Sequence, residues 1–357
     1  MARVVVAMSG GVDSSVAALL LKQAGHEVIG ISMQLYDAAE GENGRFDSCC
    51  SLDDFADARR VCDRLDIPYY IMDYEAEFRK RVIEPFIDAY RSGFTPNPCA
   101  LCNQWLKFDH LVEHGIALEA DYVATGHFAR KLEDEQGSRL LKGLDGQKDQ
   151  SYFLFGLSRE QLDKALFPLG ELTKAEVREL AREAGFRVAN KPESQEICFV
   201  PNNDYAAFVE TSSGAMPEGD IVDTAGNVLG RHKGIHHYTV GQRRGLGLAA
   251  PEPLYVRSIN AAENQVVVGR REELSAIGLE AGQVNWLVEP VEREVSIRIR
   301  YRHAGLRARV TPLDGDRISV RFLDESDAVS PGQAAVFYDG DQVLGGGWIE
   351  KALWSEA

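Results

Sequence analysis

Three groups of residues in this chain have types and spacings suited to chemistry. The first is Ser9-Gly10-Gly11-Val12-Asp13-Ser14-Ser15, set between an apolar run ending at Ala7-Met8 and a helical stretch from Val16 to Lys22. A glycine-rich turn that leaves a strand and opens a helix points backbone N–H groups and a helix N-terminus at one place, which suits a phosphate. Gly10 and Gly11 let the backbone approach an anion closely, the serines add hydroxyls, and Asp13 can cap the helix or hold a magnesium ion. No Gly-Lys-Ser/Thr follows, so this is not the ATPase P-loop. The plainer reading is a capped turn of small residues. The second group is Cys99 and Cys102, three residues apart behind Thr95-Pro96-Asn97-Pro98, with a distant partner in Ile197-Cys198-Phe199. Thiolates are strong nucleophiles and metal ligands when their pKa is lowered. The third is a pair of basic stretches, 231–244 and 293–309.

The elements that must position these groups follow from pattern. Strands are predicted at 3–8, 27–34, 68–74 and 121–128, with helices at 14–24, 53–65, 76–91 and 105–118. Such alternation predicts an α/β domain with a doubly wound parallel sheet and ligands at the carboxyl ends of its strands. Another helix is expected from Thr173 to Ala184, with Thr173 and Glu176 as a capping box and Gly185 as its stop. After about residue 200 short strands suggest a small β-rich central domain. From about 283 Val295, Ile297, Ile299 and Tyr301 alternate with Ser296, Arg298, Arg300 and Arg302. A hairpin over 335–349 turns at Asp339-Gly340, so a C-terminal antiparallel β-barrel is expected. The expected domains are 1–200, 201–275 and 276–357.

At 357 residues the chain exceeds one ordinary core. No apolar run approaches the roughly 20 residues of a membrane span, and the chain opens directly on its first strand, so no membrane partner and a cytoplasmic location are expected. The net charge of −16 disfavours indiscriminate nucleic-acid binding and a structural RNA-binding role, and leaves RNA contact to local basic surfaces. Six cysteines in a cytosolic chain read as catalytic or metal-binding rather than as a disulfide framework. Cys62 fits a helix core position, while Cys49 and Cys50 lie in a polar, glycine-rich stretch expected to be a mobile loop.

The loop at 9–15 resembles the SGGxDSS loop of the ATP pyrophosphatases, which activate substrates as adenylates. Over its whole length the chain resembles the tRNA-specific 2-thiouridylases of the MnmA type. The matching motifs are SGGVDSS at 9–15, TPNPxxxCN at 95–103, ATGHF at 124–128, GLDGQKDQSYFL at 143–154, ICF at 197–199, TVGQRRGLG at 239–247, RYR at 300–302 and PGQAAVFY at 331–338. The resemblance implies an adenine-nucleotide α-hydrolase-like catalytic domain and thiolation of a wobble uridine: ATP adenylates the uracil 2-oxygen, sulfur attacks that carbon, and AMP leaves. It implies that Ala7, Met8, Ser9, Gly10, Gly11, Val12, Asp13 and Ser14 bind ATP with Mg2+, that Met33 lies near the adenine, and that Gly126 lines the site. Asn97 and Pro98 would meet the flipped-out base. His127, Lys148, Asp149, Gln150, Arg300, Tyr301 and Gln333 would contact tRNA of the Lys, Glu or Gln type. Cys102 corresponds to the nucleophile and Cys198 to the persulfide carrier. The sulfur donor would be a cysteine desulfurase, a relay protein or hydrosulfide.

One position departs from the family pattern. Where the best-known members carry an aspartate read as a general acid/base, this chain has Cys99, which creates Cys-x-x-Cys. With Cys198 it supplies three thiolates, suited to a 4Fe–4S cluster with one open iron that could deliver hydrosulfide. A persulfide on Cys198 resolved by Cys102, or a structural zinc with a fourth ligand, are the competing readings. Among other functions, an adenylating amidotransferase would need neither Cys102 nor Cys198, and a non-catalytic nucleotide-binding module would form no AMP.

Overall fold

The structure is a computed structural model, which describes residues 1–36, 52–135, 137–193, 197–326 and 328–354. It divides into two compact units: Met1–Val82, Cys99–Asn203 and Asp341–Val343 form one, and Ile83–Pro98, Asp204–Gly340 and Leu344–Ala357 form the other.

The first unit is built on strands β1 (Arg3–Ala7), β2 (Glu27–Gln34), β3 (Tyr69–Asp73) and β4 (Tyr122–Ala124), a hairpin of β5 (Ala129–Asp134) and β6 (Gly137–Lys142), and β7 (Ala165–Leu166). The main sheet has the order β3-β2-β1-β4-β7 and its pairings are parallel. Val4, Val5 and Val6 are all fully buried, as a strand covered on both faces requires. Helices α1 (Val12–Gln23) and α2 (Leu52–Leu65) contribute Val16, Ala17, Ala18, Ala58 and Val61 to the core around them. Cys62 is fully buried there and burial pushes its thiol up to about 12, which makes it a packing residue.

The expected helix at 76–91 is instead α3 (Glu75–Phe78), a wider turn over Arg79–Ile83, and α4 (Glu84–Arg91). Pro85 lies at the start of α4, where it lacks an N–H and crowds the preceding turn. The expected helix at 105–118 begins earlier, as α5 (Pro98–Cys102), continues through a wide turn at Asn103–His110, and ends as α6 (Leu111–Ala117). Proline suits a first helical position, so Pro98 opens the helix instead of only stiffening its approach. The strand expected at 121–128 stops at Ala124, because the chain turns at Gly126 against α1. Helices α7 (Arg159–Lys164) and α8 (Lys174–Glu183) complete the unit. The Thr173–Glu176 capping box of α8 is present as expected, and Gly185 takes φ +68 beyond its end.

The second unit includes α9 (Tyr205–Ser213) and a mixed four-stranded sheet. Its strands are β8 (Gly219–Val222), β9 (Val228–His232), β10 (Tyr255–Asn260) and β11 (Gln265–Gly269), with β11 parallel to β8. The remaining strands are β12 (Gly278–Trp286), β13 (Arg293–Arg298), β14 (Leu306–Pro312), β15 (Ile318–Phe322), β16 (Ala334–Asp339) and β17 (Gln342–Leu353). They run β12-β15-β14-β13-β16-β17, and β17 pairs back onto β12, which closes the expected antiparallel barrel. Val295 and Ile297 face its core on β13 as the alternation predicts, but the strand ends at Arg298, so the expected strand positions 299–302 lie instead in the turn that follows, with Ile299 buried and Arg300 and Arg302 exposed.

Replacing Thr173 with Ala removes the side-chain acceptor of the Glu176 N–H and is expected to cost about 1 kcal/mol. Urea denaturation reads this as a lower midpoint at unchanged slope, and an unchanged midpoint would show that the cap does not contribute.

Candidate functional site

The glycine-rich loop sits where β1, an interior strand of the parallel sheet, gives way to α1. Gly10 takes φ +69, and a Cβ on it would lie 2.3 Å from the Asp54 carbonyl oxygen, so the loop excludes any other residue there. Gly11 opens α1 without a side-chain hydrogen bond capping its first turn. Two serines brace the turn from within. Ser9 N donates to Ser14 Oγ at 3.1 Å, and Ser15 Oγ donates to the Gly11 carbonyl at 2.7 Å. Ser32 Oγ on β2 donates to the Met8 carbonyl at 2.6 Å, which holds the end of β1. A Cβ on Gly126 would lie 2.7 Å from Ser14 N, so Gly126 packs directly on the first turn of α1. Met33 is buried on β2. The structure thus brings Met8 to Ser14 together with Gly126, forming a cradle whose open backbone suits an anionic phosphate chain.

Two lysines absent from the expected site join this loop. Lys191 Nζ donates to the Gly10 carbonyl at 3.0 Å, to Asp54 at 2.6 Å and to Asp57 at 2.8 Å. Burial disfavours its charge, but the two carboxylates outweigh that and raise its pKa. Lys174 Nζ lies 2.7 Å from both oxygens of Asp13 and 3.1 Å from Glu193, which also takes Lys148 at 2.6 Å. Burial pushes the Asp13 carboxyl up against the pull of Lys174. For Glu193 burial acts the same way, but Lys148 and Lys174 prevail and hold its carboxyl below the ordinary range. Asp13 therefore does not cap α1; it is engaged by a lysine. One signal in the sequence could have pointed to Lys174. It occupies the first position of α8, where the helix dipole favours acidic residues, so a lysine there needs another reason.

The thiols are placed unequally. Cys99 is exposed and Cys102 buried on the single turn of α5, and Cys198 is partly buried in a turn whose carbonyl accepts from Tyr36 Oη at 3.1 Å. Cys49, Cys50 and residues 194–196 lie outside the described residues. Asn97 and Pro98 are buried, and Gln333 Nε2 donates to the carbonyls of Thr95 and Pro96 at 3.1 and 3.2 Å, so the expected tRNA residue Gln333 braces the approach to Asn97.

Asp149 accepts from Gly143 N and Ser151 N, each at 3.1 Å, and Gln150 accepts from Phe128 N at 2.9 Å. These two side chains shape the 143–151 turn, while Lys148 is held by Glu193. Arg300 is exposed and Tyr301 half-buried beyond the end of β13. Neighbouring arginines are already partnered, Arg307 with Asp324 at 2.9 Å and Arg309 with Glu294 at 2.8 Å.

His127 is buried, with Nδ1 2.8 Å from Thr125 Oγ1, and burial together with Lys107 holds its pKa well below the usual histidine value. The unfolded chain takes up a proton near pH 6.5 that the folded one refuses, so this contribution to stability is present above about pH 6.5 and is lost as the pH falls. His127→Gln should therefore flatten the decline in stability between about pH 6.5 and 5. It will not abolish the decline, because burial lowers the pKa of His236 in the same direction. Denaturation midpoints across that range check this, and a parallel decline in the variant would contradict it.

Three family models match consecutive segments: the tRNA methyl transferase HUP domain over residues 2–202, the tRNA methyl transferase PRC-barrel domain over 206–270, and the aminomethyltransferase beta-barrel domain over 277–349. The tRNA-specific 2-thiouridylase MnmA of Geotalea uraniireducens is 56% identical over 360 residues, covering 98% of this chain and 96% of the relative. That of Geobacter metallireducens is 55% identical over 360 residues, with 98% and 97% covered. That of Clostridium botulinum strain Alaska E43 is 45% identical over 355 residues, with 98% of each covered. Similarity of this extent, carried through every segment of the fold, places the chain in the tRNA-specific 2-thiouridylase MnmA family.

Proposed function

We propose that this chain is an ATP-dependent tRNA sulfurtransferase that converts a wobble uridine to 2-thiouridine in tRNA of the Lys, Glu and Gln type. The observation that carries the reading is the uncapped start of α1 behind left-handed Gly10, at the carboxyl end of a central parallel strand. An amide oxygen is a poor leaving group. Attack of the uracil 2-oxygen on the α-phosphorus expels pyrophosphate, and a sulfur nucleophile at C2 then expels AMP with that oxygen. Ala7 to Ser14 hold the phosphates, with Asp13 as the carboxylate available to Mg2+, while Met33 and Gly126 border the nucleotide. Methyl transfer, the term in two of the domain descriptions, requires neither a phosphate-binding loop nor paired thiols.

Asn97 and Pro98 receive the target base. Lys148, Asp149 and Gln150 act as one shaped turn, Arg300 and Tyr301 meet the tRNA backbone, and Gln333 supports the Thr95–Pro96 approach. His127, buried and neutral, contributes by position rather than by charge. The catalytic domain is 1–200, followed by a central domain, 201–275, and a tRNA-contacting barrel, 276–357. No helix among the described residues is long and apolar enough to cross a membrane, and the reading places the reaction in the cytoplasm.

Cys102, Cys198 and Cys99 handle sulfur. Cys99 and Cys102 share one turn of α5 at the i, i+3 spacing that puts two side chains on one helix face. A 4Fe–4S cluster would need Cys198 beside them as a third thiolate, and would then supply an open iron for hydrosulfide from the donor. The chain's own part is to keep Cys102 shielded and Cys99 accessible.

The test uses anaerobically purified protein, unmodified tRNA and ATP, with hydrosulfide or a persulfide donor. Nucleoside mass spectrometry should find 2-thiouridine with one AMP released per turnover, and Cys102→Ser should abolish the product. Cys99→Asp should lose bound iron and thiolation together. Thiolation by metal-free protein with a persulfide donor would replace the cluster with a persulfide on Cys198, and thiolation without ATP consumption would overturn the function itself. Arg300→Ala should lower the salt slope of tRNA binding by about one unit and leave ATP affinity unchanged; an unchanged slope removes Arg300 from the RNA surface.

A further inference from the structure

The phosphate-binding loop has no cation of its own, since 9–15 contains neither Lys nor Arg. The cations beside it come from elsewhere in the chain, and they are held in different ways. Lys191 has three donors and three acceptors, one of them the backbone oxygen of Gly10, so its ammonium is built into the loop's shape. Lys174 touches no backbone oxygen in its ammonium contacts. Its Nζ rests on two carboxylates, Asp13 and Glu193, and lies 5.6 Å from the centre of the Phe128 ring. Its own backbone is fixed at the start of α8, where Lys174 N donates to Asp145 at 3.0 Å. A flexible four-carbon stem thus swings from an anchored point.

The charges around it are close to balance. Asp13 and Glu193 are negative; Lys174, Lys148 and Arg178, the last 3.9 Å from Glu193, are positive. Arg178 is committed to the Ala189 and Lys191 carbonyls at 2.7 and 3.1 Å. A polyphosphate docked at the start of α1 arrives beside the carboxylate of Asp13, in the helix's first turn, and like charges there oppose binding. Glu193 keeps Lys148 as a partner if Lys174 departs.

We infer that Lys174 is a charge-exchange residue for the adenylation step: it neutralises Asp13 in the nucleotide-free loop and transfers its ammonium to the β- and γ-phosphates when ATP docks, leaving Asp13 to a cation. This rests on the adenylation reading above. It makes Lys174 a determinant of triphosphate over monophosphate recognition, because AMP lacks the charge that draws the ammonium across. Lys191 stays in place in both states.

Calorimetric titration of ATP and of AMP, with pyrophosphate release measured in the presence of tRNA, tests the assignment. Lys174→Gln should weaken ATP binding at least about tenfold, leave AMP within about twofold, and slow pyrophosphate release, with Lys174→Arg recovering part of each. Because Lys174→Gln leaves the partly buried Asp13 carboxylate unpaired, thermal melting checks that the variant is folded, and Lys174→Met, which keeps Asp13, provides a second protein for the same ratio. If either folded variant keeps the wild-type ratio of ATP to AMP affinity, or loses both affinities equally, Lys174 is a structural pin and the inference fails. A wild-type protein that releases no pyrophosphate would instead defeat the adenylation reading, whatever the variants do.

Discussion

The posture of one peptide, at Gly10, is the constraint on which the rest of the site depends. Its left-handed φ turns the chain away from β1 so that the next residue can open α1, and the space a side chain would need is taken by the backbone of Asp54. Lys191 completes the arrangement by bonding the Gly10 carbonyl while holding Asp54 and Asp57. The bond from the ammonium satisfies that carbonyl oxygen, and the start of α1 that follows carries no side-chain cap.

Electrostatics around that loop differs from the simple picture of a basic phosphate pocket. The chain is acidic overall, and the lysines near the loop are each engaged by carboxylates. An ammonium held against a carboxylate brings the two charges close to cancelling at the loop, so the acidic and basic side chains there form pairs and not a field of one sign.

The second unit uses a different economy. Its barrel closes on itself through the pairing of β12 with β17. Within it Ala308, Val310, Ile318 and Val320 are fully buried, and such a core sets register firmly because a one-residue slip would turn every side chain outward. Arginines on the outward positions are therefore displayed by a rigid frame. Ion pairs such as Arg307–Asp324 and Arg309–Glu294 restrain some of them, which leaves a more limited basic surface than the count of arginines suggests.

Local pattern determined a good deal about this protein. The buried valines of β1, the capping box at Thr173 and the alternation along β13 each express a period or a cap that neighbours in sequence create by themselves, and the loop at 9–15 is likewise a contiguous motif. The π-type turns that break two expected helices were less legible, since they follow from proline geometry and packing rather than from the apolar period. What only the tertiary structure decided is which distant charges meet. Lys174 lies 161 positions from Asp13 and Lys191 lies 181 from Gly10, and no periodicity links such residues. A lysine in a sequence is a charge on a flexible stem; its partner, and hence its chemical meaning, is chosen by the folding of whole elements that bring α8 and the 187–191 turn against the end of β1.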